Sequence, residues 1–497
     1  MPRWDVGPYQ DIGFDRDGDV DPEQRHRLLG LEVTDLVMFA HGRNHSPAAA
    51  REMYTGFFAA LPQLVGRGVR PGFAGVGWPS MTFPDEPPAE PGKEPETAGE
   101  GPGGRRMPSG PSGPPPGAGP LPGVPFGSGP FGETAVGAVT PGGEGLDPGT
   151  RQALVSLFPG HGETVARIGA LLAERPGSAA AVTEFGRLAR RLAEAPAGGL
   201  ESSCFTDDLP GDEQGPPAVL FEDPLSLCRR FAGVLRRIES GGAGPGGSRF
   251  LGAPGPAGAS GAPDRSGGRG FAAGSPEIWR GARELLRQTT YYALKRRAGA
   301  VGELGLGPLL GQLARSRPAL RVHLVGHGQG ARLVGFALRG LPDGVRTVKS
   351  VTLLQGALSH YAFATGLPHA PGRSGALRAM EHRVDGPVVA CHSRYDSALG
   401  ALYPVASAPA YDGHSPAPAG SGDPRWWAMG HSGIHGVDPG VRLSLGEALA
   451  GALPRSGCVS VDVSSVVRDG APPSGAHADI CRPELAHLVV TAGRLDD

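Results

Sequence analysis

Residues 321–338 read RVHLVGHGQGARLVGFAL, and the fold depends on how this stretch is parsed. Val322, Leu324 and Val325 belong to a short β-branched and apolar run, the composition of a buried strand. Glycines at 326, 328 and 330 then predict a sharp corner, and Ala331 to Leu338 carries the spacing of a helix packed close behind. A strand, a tight corner and a helix put Gly328 at the C-terminal edge of a sheet. The unsatisfied N–H groups of the new helix gather around it. The residue at the tip has no side chain, and that shapes every functional reading of the chain.

Further strands flank the corner. Leu31 to Ala40 (LEVTDLVMFA) is the first, closed by the loop His41-Gly42-Arg43-Asn44. Pro47 to Val65 has helical spacing through Met53, Phe57, Phe58, Leu61 and Leu64, and Phe73 to Trp78 reads as the next strand. Downstream of the corner, TVKSVTLL (347–354), GPVVAC (386–391) and GCVSVDVSSVV (457–467) read as three more. Strands alternating with helices predict an α/β fold with a doubly wound, mostly parallel sheet.

Composition divides the chain. Residues 1–30 form an acidic arm, with Asp15, Asp17, Asp19, Asp21 and Glu23 alternating like a calcium loop. That loop needs a glycine where Val20 stands and a glutamate where His26 stands, so a solvated arm is expected. Residues 31–84 make the first part of the core. The segment 85–150 is so rich in Pro and Gly that it cannot bury enough apolar surface to offset chain entropy. Helical patterning fills 151–239, including an amphipathic run with Leu227, Phe231, Val234, Leu235 and Ile238 on one face. A Gly-rich linker covers 240–275, and 276–497 completes the core, opening on Ser275-Pro276 as N-cap and first helical residue. The expectation is a helical insertion between two disordered tethers.

The 497 residues carry 47 Lys and Arg against 49 Asp and Glu, a net charge of −2. Such a balance gives no general attraction to nucleic acid. Lys occurs only at 93, 295 and 349 beside 83 Gly and 52 Pro, so the Arg, Gly and Pro counts partly reflect base composition. Five cysteines at 204, 228, 391, 458 and 481 are odd in number and widely spaced, which predicts neither a disulfide framework nor a zinc site. No run approaches the ~20 apolar residues that span a bilayer, and no signal-peptide pattern opens the chain. A cytoplasmic protein without membrane insertion is expected.

Three features line up in chain order: the corner Gly326-His327-Gly328-Gln329-Gly330, then Asp396 after the strand ending at Cys391, then His477 in a loop after the last strand. This resembles the α/β-hydrolase superfamily, whose nucleophile elbow is G-x-S-x-G and whose order is nucleophile, acid, histidine. The resemblance covers residues 31–84 and 276–492. It implies that Asp396 orients His477 as general base, and that the N–H groups of Arg43 and Gln329 form the oxyanion hole. Gly328 stands where that family has its serine, so the chain lacks the attacking Oγ. His327 then fills the elbow's variable position.

The leading expectation is a non-catalytic homologue that binds a small-molecule ligand or a protein partner, with no cofactor. Two alternatives stay open. One is a hydrolase that uses a water activated by Asp396 and His477, or another nucleophile among Ser46, Cys391 and Ser393. The other is a dinucleotide binder, because Gly326-x-Gly328-x-x-Ala331 between a strand and a helix fits G-x-G-x-x-G/A. Against it, the next strand ends Leu353-Leu354-Gln355 without a carboxylate for a ribose hydroxyl. No phosphate-loop or kinase motif is present. His431 and His435, four apart, have the spacing of metal ligands on one helix face, but Gly430, Gly433 and Gly436 weaken a helix there.

Overall fold

The computed structural model describes residues 7–43, 45–80, 145–195, 220, 222–240, 275–407, 424–470 and 472–496. The proposed tethers at 85–150 and 240–275 therefore lie almost wholly outside the described residues. The chain runs β1 (Tyr9–Gly13), α1 (Pro22–Leu29), β2 (Asp35–Ala40), α2 (Pro47–Phe58), β3 (Pro71–Gly77), α3 (Pro148–Leu157), α4 (Gly162–Glu174), α5 (Ala179–Ala193) and α6 (Pro224–Glu239). It continues α7 (Pro276–Ala300), α8 (Gly307–Ser316), β4 (Arg321–His327), α9 (Gln329–Gly340), β5 (Val348–Leu354) and β6 (Pro387–His392). Three short helical turns, α10 (Tyr403–Ser407), α11 (Met429–Ser432) and α12 (Leu445–Glu447), alternate with β7 (Val441–Ser444) and β8 (Gly457–Asp462), and α13 (Pro483–Gly493) closes the fold.

All eight strands are parallel, in the order β1-β3-β2-β4-β5-β6-β8-β7. The central strands bury both faces, as parallel sheets must. Their alternation separates two cores. Leu36, Met38, Val322, Leu324, Val351 and Leu353 meet α7 and α9. Val37, Phe39, Val325, Leu354, Val389 and Val461 meet α2 and α13. The α/β class read from the sequence is therefore observed, and β4 stands near the middle with its C-terminal end inside the molecule.

Residues 7–30 correct the expectation of a solvated acidic arm. Ile12 and Phe14 are buried, and β1 adds a parallel edge strand to β3. The acidic residues are turn and cap groups. Asp15 Oδ1 accepts from the N–H groups of Asp17 and Asp19, and Asp21 Oδ1 accepts from Glu23 and Gln24 to cap α1. Short acidic side chains favour both roles because they bond the backbone locally.

The helices at 148–239 pack against α7 and share one hydrophobic cluster with the sheet. α6 approaches α7 so closely that a β-carbon on Gly281 would lie 1.9 Å from the Cys228 carbonyl oxygen. On its other side α7 passes through a π-helical turn, Val301–Leu306, that lies against α9. A layer of helices thus backs α7, and α7 in turn lies over the C-terminal end of β4.

Candidate functional site

The corner between β4 and α9 is tight. Gly328 has φ 55° and ψ −116°, a conformation that glycine accepts and that strains any residue with a β-carbon. Its N–H donates to the Leu354 carbonyl and its carbonyl accepts from Ala357 N–H, so β5 and the chain after it clamp the corner from both sides. Gln329 begins α9, and its N–H is among the donors the helix cannot satisfy internally.

Asp396 and His477 come from loops 81 residues apart, yet the backbone joins those loops. Ala476 N–H donates to the Tyr395 carbonyl, Ala398 N–H donates to Ser474, and Asp396 faces Gly475 in an isolated bridge. Asp396 is fully buried. One carboxylate oxygen accepts from Leu399 N–H at 2.9 Å, and the other lies 2.7 Å from His477 Nδ1. A carboxylate that only accepts makes Nδ1 the donor, which leaves Nε2 of the neutral ring as an acceptor. That Nε2 lies 3.1 Å from where a β-carbon on Gly328 would sit.

His327 takes a role that its place in the motif did not announce. Its Nε2–H donates to the His477 carbonyl at 2.8 Å, and the two rings pack with centroids 4.8 Å apart. Burial, reinforced by the nearby imidazoles of His477 and His45, holds its pKa well below the ordinary histidine value. It is a neutral prop under the His477 loop.

The loop after β2 is anchored on the other side. Trp78 Nε1 donates to the His41 carbonyl at 2.9 Å, His41 N–H donates to Tyr54 Oη, and Tyr54 Oη donates to Val76. His41 itself is buried and stacked on Trp78, and burial pushes its pKa down to about 3. This fixes Gly42 and Arg43 beside the corner.

Arg43, Gln329 and His477 line one cavity of about 20 Å³, space for a water-sized group. The five residues singled out by sequence, Arg43, Gly328, Gln329, Asp396 and His477, thus meet at one place. The remaining walls were not legible beforehand. Gln288 and Tyr291 come from α7, and Leu399, Leu402 and Tyr403 from the segment after Asp396. Nothing in the helical spacing of α7 indicates which of its faces meets the corner.

The other candidates lie elsewhere. Ser46 Oγ caps α2 by accepting from Ala49 N–H. Cys391 is buried in the core that faces α13, where burial pushes its thiol pKa up. Ser393 Oγ donates to the Val467 carbonyl at 2.6 Å and accepts from Tyr395 N–H. None of the three reaches the corner's tip. His431 lies within the four-residue turn α11, and His435 beyond it lies beside Arg442. No group of three or more metal-binding side chains occurs among the described residues, and no helix among them is long and apolar enough to cross a membrane.

Comparison with protein-family models, with curated proteins and with solved structures returns no match for this chain.

Proposed function

We propose that this chain is an α/β-hydrolase-like protein whose hydrolase site binds a ligand in place of reacting with it. The observation that carries the reading is the corner itself. Gly328 holds the strained geometry of a nucleophile elbow, an acid–histidine pair is aimed at it, and it has no atom with which to attack. The strand order around β4 and the order elbow, acid, histidine along the chain support the same reading. Fold alone does not carry function, so the site is judged on its own atoms.

A second reading draws on the intact Asp396–His477 bond. A water in the cavity, deprotonated by His477 Nε2, would attack a carbonyl directly, with Asp396 stabilising the imidazolium that forms. The dinucleotide reading has less behind it. Packing accounts for its glycines: a β-carbon on Gly330 would lie 2.1 Å from the Ala40 carbonyl oxygen, and one on Gly326 2.4 Å from that of Gly330. The cavity at the start of α9 is also small for a pyrophosphate.

Activity assays separate the first two. A serine-hydrolase probe and a panel of short-chain esters are tested on the wild type, Gly328→Ser and His477→Ala. The binding reading expects no labelling and no turnover by the wild type. Wild-type turnover that His477→Ala abolishes would establish the water mechanism instead.

A further inference from the structure

One guanidinium fastens a loop to the edge of the sheet. Arg442, exposed on edge strand β7, donates Nη1 to the Ser432 carbonyl at 3.1 Å and Nη2 to the Ile434 carbonyl at 3.3 Å. Its Nη2 also lies 2.7 Å from His435 Nε2. A guanidinium only donates, so Nε2 accepts and the His435 ring is neutral, with its proton on Nδ1. The same Nε2 lies 3.1 Å from the Ser432 carbonyl oxygen.

A second proton on His435 reverses this arrangement. Nε2 then carries a hydrogen that faces Nη2 across 2.7 Å, so two donors and two positive charges meet. The carbonyl beside Nε2 is that of Ser432, which Arg442 Nη1 already uses. The surroundings are largely further imidazoles. The rings of His360 and Tyr361 lie with centroids 4.3 and 6.1 Å from that of His435. His392, at the end of β6, feels the charges of both His431 and His435. Asp462, at the end of β8, is shared between His392 and Arg394, the latter at 3.8 Å. Burial, and then the charge of Arg442, hold the His435 pKa below the ordinary value against the pull of the Ser432 carbonyl.

The same loop bears on a strained residue. Gly430 N–H donates to the Gly356 carbonyl and Ser393 N–H donates to the Gly430 carbonyl, which ties α11 to the ends of β5 and β6. A β-carbon on Gly430 would lie 2.3 Å from the carbonyl carbon of Gln355. Gln355 has φ 42°, in the left-handed region that is costly for a residue with a β-carbon. It is fully buried, and neither polar atom of its side-chain amide has a partner among the described residues, a second cost.

We propose that Arg442 and His435 form an acid-released clasp: protonation of His435 expels the guanidinium, and the loop 430–435 lifts from β7 and from the end of β5. Lifting lets Gln355 leave its strained conformation and brings water to its amide, so strain and burial both favour the open state. In the open loop the histidine regains its ordinary pKa near 6.5. Falling pH therefore favours opening, by up to about tenfold at pH 5.5 relative to pH 7.5. The clasp lies outside the Gly328 cavity and does not depend on the binding reading.

Hydrogen–deuterium exchange on the full chain tests this at pH 7.5 and 5.5, with labelling times scaled for the intrinsic pH dependence of amide exchange. The reporters are the N–H groups of Gly433, Ile434 and His435, which donate to the Met429 carbonyl, Ser460 Oγ and the His360 carbonyl. Peptides from β2 and β4 serve as the standard. In the wild type the reporters should exchange faster at pH 5.5, by up to about tenfold, while the standard stays protected. His435→Gln keeps an acceptor for Arg442 and cannot titrate, so its loop should stay protected at both pH values. Arg442→Leu removes the clasp, and its loop should exchange at pH 7.5 as fast as the wild type's does at 5.5. Four outcomes would each overturn the proposal: equal protection of the wild-type loop at the two pH values, loss of loop and standard together, acid-sensitive protection in folded His435→Gln, or wild-type protection in folded Arg442→Leu at pH 7.5. The wild-type comparison decides even if neither variant folds.

Discussion

Gly328 combines a strained backbone with the lack of a side chain. Its φ of 55° lies where a β-carbon is strained, and that carbon would also stand 3.1 Å from His477 Nε2, closer than side chains ordinarily approach. Gly328→Ser should therefore destabilise the fold by about 1–3 kcal/mol. Equilibrium urea unfolding measures this directly, and a midpoint equal to or above the wild type's would show that the corner is not strained. On the proposed reading, glycine relieves the strain that an elbow carrying a nucleophile would bear. The contact of Asp396 with His477 was legible because its expectation came from chain order. The role of His327 was not, since its bond runs to a backbone carbonyl 150 residues away, and no local pattern encodes such a partner.

At the scale of elements, legibility followed burial. Strands β2 to β6 and β8 are apolar runs because both their faces are covered, and each was found within a few residues of its ends. The two strands that were missed are the edges. β7 alternates half-buried with exposed residues and buries none, and β1 contributes only Ile12 fully. An edge strand that short has too little pattern to register. The helices at 148–239 were legible as helices, but their packing was not, because the contact that unites them with the core depends on Gly281. A β-carbon there would overlap the Cys228 carbonyl, so Gly281→Ala must push α6 away from α7. We expect a loss of about 1–3 kcal/mol, the usual cost of overpacking. Because these helices share the core of the sheet, the loss should appear in one cooperative transition. Circular dichroism and tryptophan fluorescence should report the same lowered midpoint. Two separated transitions, with only one of them moved, would show instead that 148–239 folds as an independent insertion.

For the molecule as a whole, the buried histidines predict an asymmetric response to acid. His41, His45, His323, His327, His392, His431 and His435 all have pKa values below the ordinary one, and burial is the leading cause for each. For His41 the value falls to about 3 and for His392 to about 4. At His323, Asp35 at 3.1 Å pulls the other way without overcoming burial. Well above pH 6.5 both the folded and the unfolded chain keep these rings neutral, and they contribute little to pH dependence. Below it the unfolded chain binds protons that the folded chain does not, so stability must fall as pH falls. Each such ring contributes a slope of about 1.4 kcal/mol per pH unit once its unfolded form is fully protonated. The loss ends for a given ring only when pH passes below its folded pKa. Carboxylates depressed by their partners, Asp35 among them, add to the loss only near and below pH 4. Denaturant unfolding at pH 7.5, 6.5, 5.5 and 5 isolates the histidines, since that range lies above the ordinary carboxylate values. The expected curve is flat from 7.5 to about 7 and then steepens downward, with several protons taken up on unfolding at pH 5. His41→Asn should reduce that uptake by close to one proton, because burial holds the His41 ring neutral in the folded chain down to about pH 3. Stability that stayed level between pH 7 and 5 would mean that the rings at the C-terminal end of the sheet are hydrated in solution.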